Sequence, residues 1–211
     1  MHYTKEQIQG MERVKRLKII NAVSGIKPAN LIGTIDDDGK TNLAIFSSVV
    51  HLGSDPALMG FIMRPIGDVP RHTYENIIQN RQYTINHIHQ SFVKNAHYTS
   101  AKLDRNDSEF TRCGLSEEYL NGFSAPFVKE SQLKIGLQFL EAIDISLNGT
   151  ILMIGEIKHL IIPEEIIGDH LDFDLSLVDT VGISGLNTYY ALEKIAEYPY
   201  ARANETPNFK V

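Results

Sequence analysis

The chain has 211 residues, 43% of them hydrophobic and 22% charged, a balance that suits a folded protein with one core and excludes a disordered one. A net charge of −6 and a pI near 5.7 argue against a nucleic-acid partner. The single cysteine, Cys113, rules out an intramolecular disulfide.

Met1–Glu6 lacks the apolar centre of a signal peptide, and no apolar run is long enough to span a bilayer, so the reading is cytoplasmic with no membrane partner. Thr4-Lys5-Glu6-Gln7 has capping-box spacing and opens a helix over 4–22, weakened at Gly10. The basic cluster Arg13–Lys18 falls at helical spacing and reads as a solvated face. Two apolar runs, Leu31–Ile35 and Thr41–His51, flank Asp36–Lys40, and the Asp38-Gly39 pair between them predicts a hairpin. Leu58–Met63 and Tyr83–Ile88 read as further strands. From Ser91 to Gly122 the chain is polar and mostly helical, with caps at Ser91, Asp107 and Ser116.

Leu133, Ile135, Leu137 and Phe139 alternate with Gln132, Lys134, Gly136 and Gln138, the period of a strand with one face buried. That run continues to Asn148-Gly149, a two-residue hairpin turn, and returns over 150–162 until Pro163 ends it. A short segment around Leu175–Val178, the stretch Gly182–Leu186 and a helix over Tyr189–Ala196 complete the pattern. Hairpins dominate, so the fold class is mainly β: an antiparallel barrel with added helices, in one domain over 1–211 with its barrel core at 30–190.

Two stretches could carry chemistry. Asn42, Ala44, Phe46, Ser48 and Val50 share one side of a strand, and Ser47-Ser48 would expose backbone N–H groups if the ladder ends there. Such a strand end accepts a flat ring, or it is a core strand whose polar end reaches solvent. After Pro70, a helix starts with Thr73 as its N-cap; free N–H groups, the helix dipole, Arg71 and Arg64 would together hold a phosphate. The alternative is a surface arginine beside an ordinary cap. Ring plus phosphate points to a nucleotide-like cofactor. Gly-x-Gly-x-x-Gly, Walker and Gly-x-Ser-x-Gly motifs are absent. His87 and His89 share a strand face, but a metal would need a third ligand such as His97 or His51, and no metal is expected.

In order along the chain, several segments resemble the flavin reductase-like family, whose members bind FMN in a split β-barrel. They are Asn42–Ser48, Ser54–Leu58, Arg71–Ile77, Tyr83–Asn86, Thr99–Lys102, Ser108–Leu115, Ala125–Ser131, Ile154–Ile157 and Gly185–Tyr189. The resemblance implies that Asn42 and Ser48, with the backbone of Ser47 and Val49, line the flavin. It gives the phosphate to Arg64, Arg71 and Thr73, and has Ser100 and Lys102 close over the ribityl–phosphate end. Asn86 is a more distant contact, and Tyr189 approaches the ring from the C-terminal segment, of either subunit of a homodimer. His72 departs from the acidic residue that many relatives carry there.

By resemblance, the activity is that of an FMN-dependent reductase. NADH or NADPH is a transient co-substrate, and free flavin, a redox partner protein or oxygen is the acceptor. The alternative is a non-enzymatic, FMN-binding electron-transfer flavoprotein. No side chain is assigned a catalytic role.

Overall fold

The computed structural model of the chain describes residues 1–67, 69–168 and 173–208. Thr4 closes its capping box: the hydroxyl accepts the Gln7 N–H at 3.3 Å, and the Gln7 side chain accepts the Thr4 N–H at 2.9 Å. Helix α1 (Lys5–Gln9) is short, however, and two helices replace the single one predicted over 4–22. Glycine costs a helix interior about 1 kcal/mol, and the chain breaks at Gly10. Glu12 then starts α2 (Arg13–Ala22), its carboxylate accepting the Val14 and Lys15 N–H groups at 2.8 and 2.9 Å. Neither helix buries a residue.

The two-residue β1 (Lys27–Pro28) leads to β2 (Asn30–Ile35), which turns at Asp36–Lys40 into β3 (Thr41–Phe46). Asp36 holds the turn by accepting the N–H groups of Asp38 and Lys40, while Gly39 supplies φ +80°. The strand predicted to run to His51 stops at Phe46. Residues 47–49 belong to no ladder, and β4 (Val50–Ser54) pairs instead with β5 (Ala57–Met63). Here the Ser48 hydroxyl stands in for a strand partner. It donates to Ile62 O at 3.2 Å and accepts the Ile62 N–H at 3.1 Å.

Helix α3 (His72–Asn80) follows and lies against β2 and β3, and β6 (Gln82–His87) returns to the sheet beside β2. The segment predicted to be mostly helical holds only α4 (Val93–Tyr98), α5 (Glu109–Cys113) and a 3₁₀ turn over Gln90–Phe92. Ser91 lies inside that turn, Ser108 rather than Asp107 precedes α5, and Ser116 precedes β7 (Glu117–Glu118). Strand β7 pairs with β8 (Phe127–Val128).

The long hairpin joins β9 (Lys134–Ile145) to β10 (Thr150–Ile161). Its loop is four residues, 146–149, rather than two, with Gly149 at φ +74° and the Asn148 oxygen accepting the Thr150 N–H at 3.0 Å. Leu133, Ile135, Leu137 and Phe139 are buried as their alternation predicts, yet Lys134 and Gly136 are buried too. Phe123 and Phe127 cover that second face, and a Cβ on Gly136 would sit 3.0 Å from the Phe127 ring. Lys134 survives there because its ammonium pairs with Glu118. The helix predicted over 189–196 is replaced by β12 (Thr188–Ala191), which pairs with β11 (Val181–Ser184).

Seven antiparallel strands run in the order β3-β2-β6-β9-β10-β5-β4, beside a smaller sheet β1-β11-β12. This is the mainly antiparallel fold with peripheral helices that the hairpins predict. Because side chains alternate, β2 feeds two cores. Ile32 joins Phe61, Tyr83, Leu137 and Met153 on one side, and Leu31 joins Leu43, Ile88 and Phe110 on the other. Among the described residues, no helix is long and apolar enough to cross a membrane.

Candidate functional site

The end of β3 and the start of α3 open onto one cleft of about 1180 Å³. Asn42, Ser47, Ser48, Arg64, Arg71, Thr73, Ser100 and Lys102 all line it, brought together from β3, the end of β5, the start of α3 and the segment after α4. Phe46 forms part of the wall and meets the core residue Phe61 edge-on at 5.0 Å between ring centres. The apolar side of the cleft is therefore continuous with the packed interior.

Thr73 is not the N-cap that its sequence position predicts. Arg71 holds that place, its side chain making no capping bond, and Thr73 lies one residue inside the first helical position. Among the described residues, the first N–H groups of α3 consequently have neither an intrahelical nor a side-chain acceptor, which leaves the positive end of the dipole open toward the cleft. The Arg71 guanidinium reaches Pro65 O at 3.3 Å, and its own N–H is accepted by Glu75 at 3.2 Å. Arg64 and Lys102 are exposed at the rim. Ser100 directs its hydroxyl proton to His97 O at 2.8 Å, so it must rotate before it can donate to an anion.

Beneath the helix start runs a buried polar chain. Asn42 Nδ2 donates to Thr73 Oγ1 at 3.0 Å and to Thr34 Oγ1 at 3.4 Å, and Asn76 Nδ2 reaches the same Thr34 oxygen at 3.1 Å. With its nitrogen so committed, Asn42 keeps its carboxamide oxygen to offer a ligand. On the outer side of β3, the buried Glu109 accepts the Leu43 N–H at 3.0 Å. Burial raises its pKa, with the Leu43 N–H acting in opposition.

Two side chains, Asn86 and Tyr189, are placed differently from what the resemblance implies. Asn86 lies wholly in the barrel, away from the cleft. Its nitrogen donates to Leu31 O at 3.2 Å and Thr84 Oγ1 at 2.9 Å, and its oxygen accepts the Val128 N–H at 3.0 Å, so it acts as a structural tie between strands. The Val49 side chain packs against the core, while its backbone, the part that the resemblance gives to the flavin, lies outside any ladder. Tyr189 comes near the cleft only through His97, whose Nδ1 lies 3.0 Å from the tyrosine hydroxyl; burial pushes that hydroxyl's pKa up to about 12.

Sequence reasoning missed Asn21, Arg105, Glu109, Leu186 and Asn187, which also line the cleft. Glu109, Leu186 and Asn187 fall within segments that resemble the family but receive no role from it, and Asn21 and Arg105 have no local motif, so only the packing brings them in. His89 is occupied on both ring nitrogens. Nε2 accepts the Gln132 N–H at 2.9 Å and Nδ1 faces Val178 O, which leaves neither for a metal. Among the described residues, no three His, Cys, Asp or Glu side chains form a metal cluster.

The family model described as flavin reductase like domain matches residues 26–177, most of the chain. The chain belongs to this family. A crystal structure from Shewanella frigidimarina NCIMB 400, ascribed to a flavin reductase with a split barrel domain, is 50% identical over 95% of this chain and all of that one, with a TM-score of 0.91. Nitrilotriacetate monooxygenase component B from Bacillus cereus shares the fold at 17% identity, covering 94% of this chain and 98% of that one, with a TM-score of 0.82. The Bacillus subtilis (strain 168) protein YwrF is 23% identical over 117 residues, 56% of this chain. The match spans 57% of YwrF's length, less than two thirds of that curated relative. In this flavin reductase-like chain, the cleft lies where β3 leaves its ladder, and most of its lining falls within the stretch that the family model matches, with Asn21, Ile183, Leu186 and Asn187 outside it.

Proposed function

We propose that the cleft holds FMN and that the chain is a flavin reductase drawing on NADH or NADPH. The observation that carries this reading is the uncapped start of α3 sharing one cleft with Arg64, Arg71 and Lys102. Free N–H groups, a helix dipole and three cations suit a phosphate dianion. The remainder of the cleft suits a flat ring. The backbone of 47–49 has no ladder partner and can bond a polar ring edge, Ala44 leaves room, and Phe46, Ile62 and Met63 are apolar.

When bound, FMN supplies hydride and electron transfer between a nicotinamide and an acceptor. The side chains around it bind, orient and exclude water; the reading requires no nucleophile or general base. Asn42, held by Thr34 and Thr73, offers an acceptor oxygen, while Arg64, Arg71 and Lys102 neutralise the phosphate. The same reading makes the protein a cytoplasmic homodimer passing electrons to free flavin, oxygen or a partner protein. The test is spectroscopic. FMN added to the purified protein should give a bound-flavin spectrum that bleaches anaerobically with NADH or NADPH at a catalytic rate. Binding without bleaching by either nucleotide would instead make it an electron carrier, and failure to take up FMN would contradict the flavin reading altogether.

A further inference from the structure

Residues 99–107 run along the cleft between the end of α4 and the start of α5 with little regular structure. This segment carries Ser100 and Lys102. Its backbone bonds are local, such as Ala101 N–H to Tyr98 O and Asp107 N–H to Asp104 O, and among the described residues none joins it to the barrel. The side chain that does so is Arg105. Its Nη1 pairs with Glu75 at 2.7 Å, its Nη2 donates to Asn76 Oδ1 at 3.3 Å, and its Nε faces Asp36 at 3.4 Å.

Those partners stand on two separate elements, the β2–β3 turn and α3, and each is itself part of the site's framework. Asp36 is buried and closes its turn. Glu75 accepts the Arg71 N–H, and Asn76 is a link in the buried chain through Thr34 and Asn42 to Thr73. The Arg105 charge is already met by two carboxylates, which leaves little of it for an incoming anion. A planar guanidinium spreads its donors over three nitrogens in a fixed fork, whereas the three donors of an ammonium share one nitrogen and cannot reach acceptors set so far apart.

We propose that Arg105 is a positioning residue of the phosphate end of the cleft. It locks 99–107 onto α3 and the β2–β3 turn before any ligand arrives, so that Lys102, Ser100 and the start of α3 form one preorganised anion site. The effect on ligand binding rests on the flavin reading, whereas the anchoring does not.

The full-length protein is tested as wild type, Arg105→Ala and Arg105→Lys, with two readouts. The first is amide hydrogen exchange without flavin. In both variants the amides of 100–107 should exchange roughly tenfold faster or more, while β6 and β9 keep their protection. The second is fluorescence titration. FMN affinity should fall about tenfold in both variants with riboflavin unaffected, because riboflavin has no phosphate. Unchanged exchange at 100–107 would overturn the proposal. So would restoration of FMN affinity by lysine, which would mean that Arg105 acts through its charge alone. If the wild type takes up no FMN, the flavin reading fails, and the exchange result alone upholds or overturns the anchoring role.

Discussion

His87 ends β6 with its Nδ1 shut off from solvent and without a hydrogen-bond partner among the described residues. Burial, with His89 adding to it, pushes its pKa from 6.5 down to about 4. The unfolded chain therefore binds more protons than the folded one between those values. Stability is present in full above pH 6.5 and is lost as the pH falls through this window. Urea unfolding at about pH 7 and about pH 5 should show a loss of stability in the wild type that is smaller in His87→Phe. Equal losses would mean that His87 is not the group responsible. Thr73 makes a second residue-scale case. Thr73→Val removes the shorter of the two buried bonds that Asn42 donates, leaving only the longer one to Thr34, and should cost about 1 kcal/mol of folding stability, whereas Thr73→Ser should keep most of it; denaturant unfolding measures both.

Among the elements, β2 shows how closely the barrel is packed. A Cβ at Gly33 would lie 2.3 Å from Pro126 O and 2.7 Å from Thr84 Oγ1, two atoms already hydrogen-bonded to each other at 2.7 Å. Since a backbone carbonyl cannot swing aside as a side chain can, Gly33→Ala should destabilise the fold by about 1–3 kcal/mol, read as a lower thermal midpoint. Elements governed by local chemistry were legible in the sequence. Asp36–Gly39 and Asn148-Gly149 announced two hairpins, Thr4 with Gln7 announced a capping box, and the alternation from Leu133 announced β9. Elements decided by distant partners were not. The break after Phe46 depends on Ser48 meeting Ile62, and β12 is a strand because β11 lies beside it. The same division runs through the site. Arg71 could be placed from Pro70 and the helix start, while Arg105 and Glu109 have no meaning until α3 and β3 are beside them.

For the whole molecule, surface area is the informative quantity. A compact monomer of 23.7 kDa exposes about 9,800 Å², whereas this chain exposes 13364 Å². The excess comes partly from α2, with Val14, Leu17 and Ile20 uncovered, and from a C-terminal stretch with Ile195, Tyr198 and Tyr200 in solvent. Obligate dimers bury about 2,000–5,000 Å² in all, or about 1,000–2,500 Å² per subunit, which would cover part of such an excess. Sedimentation should therefore report a dimer, and a monomer that holds FMN tightly would contradict it.

Recognition of a phosphate at the start of α3 is tested most directly by titrating FMN and riboflavin against wild type and Arg71→Ala, following fluorescence quenching. The wild type should hold FMN roughly ten- to a hundredfold more tightly than riboflavin. Arg71→Ala should lose about that factor for FMN alone, since charge-assisted bonds contribute about 1.5–3 kcal/mol each. An equal loss for both flavins would contradict phosphate recognition there and move the anion site elsewhere.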